Sequence, residues 1–294
     1  MMGNQERDHQ NEIDICREQA EKFSLCNDYA FKIVFGSEEN KDILAAFLEV
    51  VTKMKKADFL ELRIENPTLM PEYKEKKLGI VDLKIILKDG QKVNIEIQNF
   101  WSASFSKRSL YYWSKMYAED FLSGEDYQKL NKCISINLIR DRFPLSTKTH
   151  SVYQVLERDT YTKLDDSLEL HFLDLSKAKA DDGLGELKKW LVFIQTEERK
   201  ERMAMAQGNA MLEKANDVMD RFYLDPEARK QYEAAMKIES DYRMFENEFK
   251  RRGMEEGIAQ GINQANYAMA QKLKAKGFSV SEIEELTGLK PEQI

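Results

Sequence analysis

The sequence predicts an α/β protein: a mixed sheet flanked by helices, followed by an all-helical C-terminal extension. Three observations lead there. Residues 78–98 hold two apolar-alternating runs on either side of Asp89-Gly90, the signature of a β-hairpin. A strand-like run, the hairpin, a helical run at 107–122 and the apolar run CISINLI at 133–139 then follow in an order that suits a small mixed sheet with helices on its faces. From Gly185 to about residue 276 there is scarcely a helix breaker besides Asp225-Pro226.

In chain order, residues 1–22 are a polar leader. Phe31, Val34 and Phe35, then Ile43, Leu44, Phe47, Leu48 and Val51, recur at helical period, with Gly36-Ser37 dividing them into two helices or one bent one. Residues 59–64 (FLELRI) read as a strand, and Pro67 and Pro71 mark an extended connection. After the hairpin, residues 99–106 form a loop in which Phe100, Trp101 and Phe105 serve to anchor it on the core; stacking on unpaired bases is the other use of such aromatics. In the helix at 107–122, Leu110, Trp113, Tyr117 and Phe121 make an apolar stripe. Arg108, Tyr112 and Lys115 share a different face at i, i+4 and i+7. Residues 140–151 read as a polar link, and a further strand is expected near 168–175.

The expected domains are therefore 23–184 for the α/β part, 185–276 for the helical extension and 277–294 for a short tail resembling the start of a helix-turn-helix. That tail has a capping box at Ser279 and Glu282, a turn at Thr287-Gly288 and Pro291 opening a second helix. Too few residues follow the turn to lie along a major groove, so a packing or self-association role is expected. Gly253, Gly257 and Gly261 recur every four residues, as in a close-packed or weakly oligomeric helix seam.

The hairpin carries the chemistry. A two-residue Asp-Gly loop sets Leu83 against Glu96, whereas a three-residue loop of Lys88, Asp89 and Gly90, with the glycine left-handed, sets Leu83 against Ile95 and Ile85 against Val93. A one-residue slip moves every side chain to the other face, so the hydrophobic pattern selects the three-residue loop. Asp82 then falls opposite Glu96, about 5 Å apart at Cβ, with Gln98 two residues along the same face. Facing carboxylates repel unless a cation lies between them, and such oxygen-rich pairs suit Mg²⁺, with Mn²⁺ as a substitute. The alternative is a solvated polar face diluted by Lys84 and Asn94.

The pattern of Asp82, then Glu96-Ile97-Gln98 after a short hairpin, resembles the PD-(D/E)XK nuclease superfamily. More narrowly it is similar to the recombination-promoting nuclease and transposase-like family, in which glutamine commonly replaces the motif lysine. Residues 27–36 (NDYAFKIVFG) resemble that family's opening helix, residues 107–113 (KRSLYYW) the helix after its motif, and residues 170–175 (LHFLDL) a later strand. The likeness covers roughly residues 25–195. It implies a restriction-endonuclease-like sheet and a Mg²⁺-dependent DNA endonuclease, tied to recombination or mobile elements. Asp82 and Glu96 would hold the metal, Gln98 would orient water, and Arg108 would clamp phosphate or supply the positive charge that Gln98 lacks. Tyr112 and Lys115 are accessory candidates, as is Glu49, since some members take an extra acid from the first helix. The competing reading is a nuclease-derived DNA-binding or assembly module with little or no catalysis.

Composition permits this without demanding it. The chain of 294 residues is 42% hydrophobic and carries a net charge of −7. Its first 150 residues carry 23 basic against 24 acidic side chains, the remainder 22 against 28, so the excess acid lies in the second half. Lysines at 53, 55 and 56 and at 74, 76 and 77 are solvated faces or phosphate contacts. No apolar run approaches a membrane span, and the polar start is unlike a signal peptide. Three cysteines without a CxxC pair fit reduced thiols in a cytoplasmic protein. Three widely spread histidines argue against a histidine-based site. DNA is the expected partner, with a homo-oligomer formed through the C-terminal helices.

Overall fold

The structure, a computed structural model, describes residues 22–59, 61–65 and 82–294. Expectations for residues 1–21, for the lysines at 74, 76 and 77 and for the connection through Pro67 and Pro71 lie outside the described residues. Of Asp82 the backbone is described. The chain divides into two compact units between Ala235 and Met236.

The first unit is built on a six-stranded mixed sheet. Its strands are β1 (Arg63–Glu65), β2 (Asp82–Ile86), β3 (Lys92–Gln98), β4 (Cys133–Ile139), β5 (His150–Tyr153) and β6 (Leu168–Asp174), in the order β1-β2-β3-β4-β6-β5. β1, β2 and β3 are antiparallel neighbours, β3, β4 and β6 run parallel, and β5 returns antiparallel to β6. β1 is shorter than the strand expected at 59–64, because residues 56–59 turn as a 3₁₀ helix. β5 falls at the end of a stretch read as a polar link; its four residues alternate too briefly to signal a strand.

The hairpin has the three-residue loop. Leu87 N–H donates to the Gln91 carbonyl at 2.9 Å, Gly90 N–H donates to the Leu87 carbonyl at 3.0 Å, and Gly90 takes the left-handed φ of +84° that the turn requires. Asp82 pairs with Glu96, Leu83 with Ile95 and Ile85 with Val93.

Helices cover both faces. On the Leu83 face lie α1 (Asp28–Phe35), capped by Asn27 accepting from the amides of Tyr29 and Ala30, and α2 (Lys41–Thr52). The core there joins Phe31, Phe35, Phe47, Leu83, Ile95 and Ile136. The opposite, Glu96 face is covered by α3 (Phe105–Ala118), where Phe105, Ile139, Phe143, Leu170 and Phe172 form a smaller core. Trp101 packs edge-on against Phe105 and Phe143, at 5.6 and 5.2 Å between ring centres, so this aromatic of the loop anchors it.

α3 sits with a different side inward from the stripe expected. Phe105, Ser109 and Met116 are its buried residues, while Leu110 is 46% exposed. Three polar pins fix that rotation. Ser109 Oγ donates to Asn137 Oδ1 at 3.1 Å, Trp113 Nε1 donates to the Cys133 carbonyl at 2.9 Å, and the buried Lys92 Nζ reaches the Met116 carbonyl at 3.1 Å.

Beyond a single turn, α4 (Leu175–Ala178), come α5 (Glu186–Gln195), α6 (Arg199–Ala206) and α7 (Ala210–Leu224). The sequence placed these last three in the helical extension. They instead complete the core on the Leu83 face through Trp190, Phe193, Leu212, Met219 and Phe222, so the first unit runs on to Ala235. Met219 is buried on α7, whereas Met203 on α6 is exposed. α8 (Pro226–Ala275) is one continuous helix. Within the second unit, its end packs Ala270 and Leu273 against Ile283 and Leu289. α9 (Val280–Thr287) carries the expected capping box of Ser279 and Glu282, ends at a left-handed Gly288, and is followed by a 3₁₀ turn opened by Pro291. No described helix is long and apolar enough to cross a membrane.

Candidate active site

The site forms where β3 runs beneath the start of α3. Strand periodicity places Lys92, Asn94 and Glu96 on one face of β3, and α3 closes over that face, so all three are buried; Glu96 is 2% exposed. This overturns the alternative of a solvated polar face. A carboxylate so enclosed loses its hydration, and burial raises its pKa above the usual range. The adjacent Arg108 charge and hydrogen bond oppose that shift.

Arg108 leaves the first turn of α3 and points back at the sheet. Its Nη2 donates to Glu96 Oε1 at 2.5 Å and also to Gln98 Oε1. Gln98 is held at its other end, where Nε2 donates to the Phe100 carbonyl at 2.7 Å, which turns the amide oxygen toward the guanidinium. The guanidinium carbon lies 4.9 Å from the centre of the Phe105 ring, a cation–π contact, and Arg108 Nε is buried with no partner. Two other cations of this face are engaged elsewhere: half-buried Lys84 with Glu65 and Glu119, and buried Lys92 with Asp120. Among the described residues, Arg108 is therefore the cation joined to Glu96.

The structure brings together Glu96, Gln98 and Arg108, with Asp82 as the cross-strand partner of Glu96. The rest of the expected face disperses. Lys115 is exposed and rests 5.7 Å from the centre of the Tyr111 ring, and Tyr112 packs edge-on against Tyr111. Glu49 lies on α2, whose core residues pack on the opposite face of the sheet.

Sequence reasoning missed the Phe100 carbonyl that orients Gln98, a main-chain contact with no residue signature. It also kept the histidines apart. His150 Nε2 lies 2.8 Å from His171 Nδ1, and His171 Nε2 lies 2.7 Å from Glu169 Oε1. β5 and β6 unite residues 21 positions apart, but on the Leu83 face, away from Glu96. Burial, then the charges of His171 and Lys53, holds His150 down at about 4.

Among the described residues, no three His, Cys, Asp or Glu side chains cluster as metal ligands. The donors that suit a metal are oxygens alone, Glu96 and its partner position Asp82, a set matched to a hard divalent cation such as Mg²⁺ or Mn²⁺ rather than a thiophilic one. The pull of the same Glu96 oxygen on the Arg108 guanidinium fits a place that takes positive charge.

No curated protein and no solved structure matches the chain significantly. A family model described as "PD-(D/E)XK nuclease family transposase" matches residues 25–248, a span that begins just before α1 and takes in the whole sheet, α3 and α5–α7. With that match over most of its length, and with a mixed sheet whose central hairpin sets Asp82 against Glu96, the chain belongs to the PD-(D/E)XK nuclease family transposases.

Proposed function

We propose that the protein is a divalent-metal-dependent DNA endonuclease, using Mg²⁺ or in its place Mn²⁺, that hydrolyses phosphodiester bonds in the service of DNA recombination or a mobile element. The observation that carries this reading is the constellation on one face of the hairpin: Glu96 opposite Asp82, joined to Arg108, which Gln98 holds in place. Asp82 and Glu96 would hold the cation. Once bound, it supplies Lewis-acid polarisation of a phosphodiester oxygen and lowers the pKa of an attacking water.

The remaining work falls to the chain's own groups. Arg108 presents a forked, permanently charged donor suited to a phosphate and to the charge that develops on it. Gln98 has no charge, and its amide oxygen keeps that guanidinium aimed at Glu96. α3 excludes water from Glu96, which strengthens every charge interaction made there.

The test is incubation with supercoiled plasmid, with and without Mg²⁺, beside the Asp82→Ala protein. Metal-dependent nicking or linearisation that the variant lacks is the expected result. Equal cutting by both proteins, or none by either at any divalent metal, refutes the reading.

A further inference from the structure

We infer that Arg108 and the divalent cation compete for Glu96, so that the Arg108–Gln98 pair sets metal affinity and couples it to phosphate binding; this rests on reading Asp82 and Glu96 as the metal ligands. Glu96 is the one carboxylate to which Arg108 is joined among the described residues, and the contact is made inside a face closed by α3. Two cations drawn to one enclosed carboxylate repel each other strongly, because little water screens them. A divalent ion entering at Glu96 therefore weakens the hold on Arg108, and Arg108 raises the barrier to the ion.

The guanidinium is also placed to leave. Its Nε has no partner to lose, and its contacts converge on a single nitrogen, Nη2. The Phe105 ring beneath it is fixed by Trp101 and Phe172, giving the side chain a rigid base from which to swing. Gln98 is a positioning residue in this scheme. Its Nε2 is spent on the Phe100 carbonyl, so only its oxygen is offered to Arg108. A lysine at 98 has no acceptor to offer and would repel the guanidinium. Glutamine at this position thus belongs with an arginine on the neighbouring helix.

A phosphate that takes up Arg108 relieves the competition, so DNA and metal each tighten the binding of the other, as linkage requires.

Calorimetric titration of the full chain with Mn²⁺ and with Mg²⁺ at pH 8 tests this on wild type, Arg108→Met, Gln98→Met and Glu96→Gln. A duplex with non-hydrolysable linkages is added in a second series. Arg108→Met is expected to bind metal about tenfold or more tightly, within the usual range of coupling between sites. Gln98→Met should tighten by less. The duplex should tighten metal binding to wild type and leave Arg108→Met nearly unchanged. If wild type binds metal, Glu96→Gln abolishes binding, and neither Arg108→Met nor Gln98→Met binds more tightly, the competition is refuted while the metal site stands. If folded wild type binds no metal with or without the duplex, both readings fall together. Circular dichroism checks each variant, and should Arg108→Met not fold, Gln98→Met decides alone, since it keeps the charge and removes only the second anchor.

Discussion

Arg108 Nη2 lies 2.5 Å from Glu96 Oε1, across the gap between a helix and the sheet it covers. The pair opposes, without cancelling, the burial that drives the Glu96 carboxyl toward its protonated form. It also sets what each substitution in the site should do.

Replacing Glu96 by Gln, or Asp82 by Ala, is expected to lower plasmid cleavage at least about a hundredfold, because one remaining carboxylate holds a divalent ion too loosely for catalysis. Glu96→Gln is the better probe than Glu96→Ala, since it keeps an oxygen for Arg108 and avoids leaving a half-buried cation bare. Single-turnover rates at saturating Mn²⁺ make the measurement. A folded Glu96→Gln protein that cuts at the wild-type rate excludes Glu96 from the site.

Arg108→Ala should cut much more slowly than wild type even when metal is saturating, with each tenfold loss corresponding to about 1.4 kcal/mol of transition-state stabilisation. Gln98→Lys alone should gain nothing or lose rate, because the new ammonium displaces Arg108 instead of joining it. In the double variant the lysine meets no rival and should restore part of the rate. An Arg108→Ala enzyme as fast as wild type would remove the assignment.

Stability should fall on mild acidification through His150. The folded protein holds this imidazole at about 4 against an ordinary 6.5, through burial first and then the charges of His171 and Lys53. The unfolded chain takes up the proton that the folded one resists, so the contribution is complete above pH 6.5 and drains away as pH falls toward 4. By pH 5 the loss from this group amounts to about 2 kcal/mol. Urea midpoints at pH 7 and pH 5 for wild type and His150→Gln measure it. The variant should lose less, and equal losses would exclude His150 as the source.

Truncation should separate the two units at Ala235, not near residue 185. A chain ending at Ala235 keeps Trp190, Phe193, Met219 and Tyr232 in the core and should melt cooperatively. A chain ending at residue 184 loses all four. Since truncating even one buried Phe or Trp to alanine costs about 3–5 kcal/mol, the chain that lacks all four should not fold. Light scattering on the longer one reports whether the second unit governs association. Cooperative melting of the shorter chain would contradict the packing described.

What the sequence determined by itself was whatever a local period can encode. The alternation from Leu83 to Ile97 chose between two hairpin registers, since only one puts Leu83, Ile85, Val93 and Ile95 together, and Asp89-Gly90 supplied the turn. Asp82 against Glu96 followed from that register alone. The Ser279–Glu282 capping box was equally local. Arg108 at Glu96 was legible only through likeness to a family, because no pattern within α3 says how the helix is rotated. Its apolar residues pointed to Leu110, yet Ser109, Trp113 and Lys92 fixed the rotation through bonds to other elements and left Leu110 in solvent. Tertiary structure alone decided that α3 would seal Glu96 from water, that Phe100 would turn the Gln98 amide, that His150 would meet His171, and that α5–α7 would finish the core. Each of these depends on which surface covers which. That choice is made by the free energy of burying apolar area and pairing polar groups across the whole chain, which no short stretch of sequence contains.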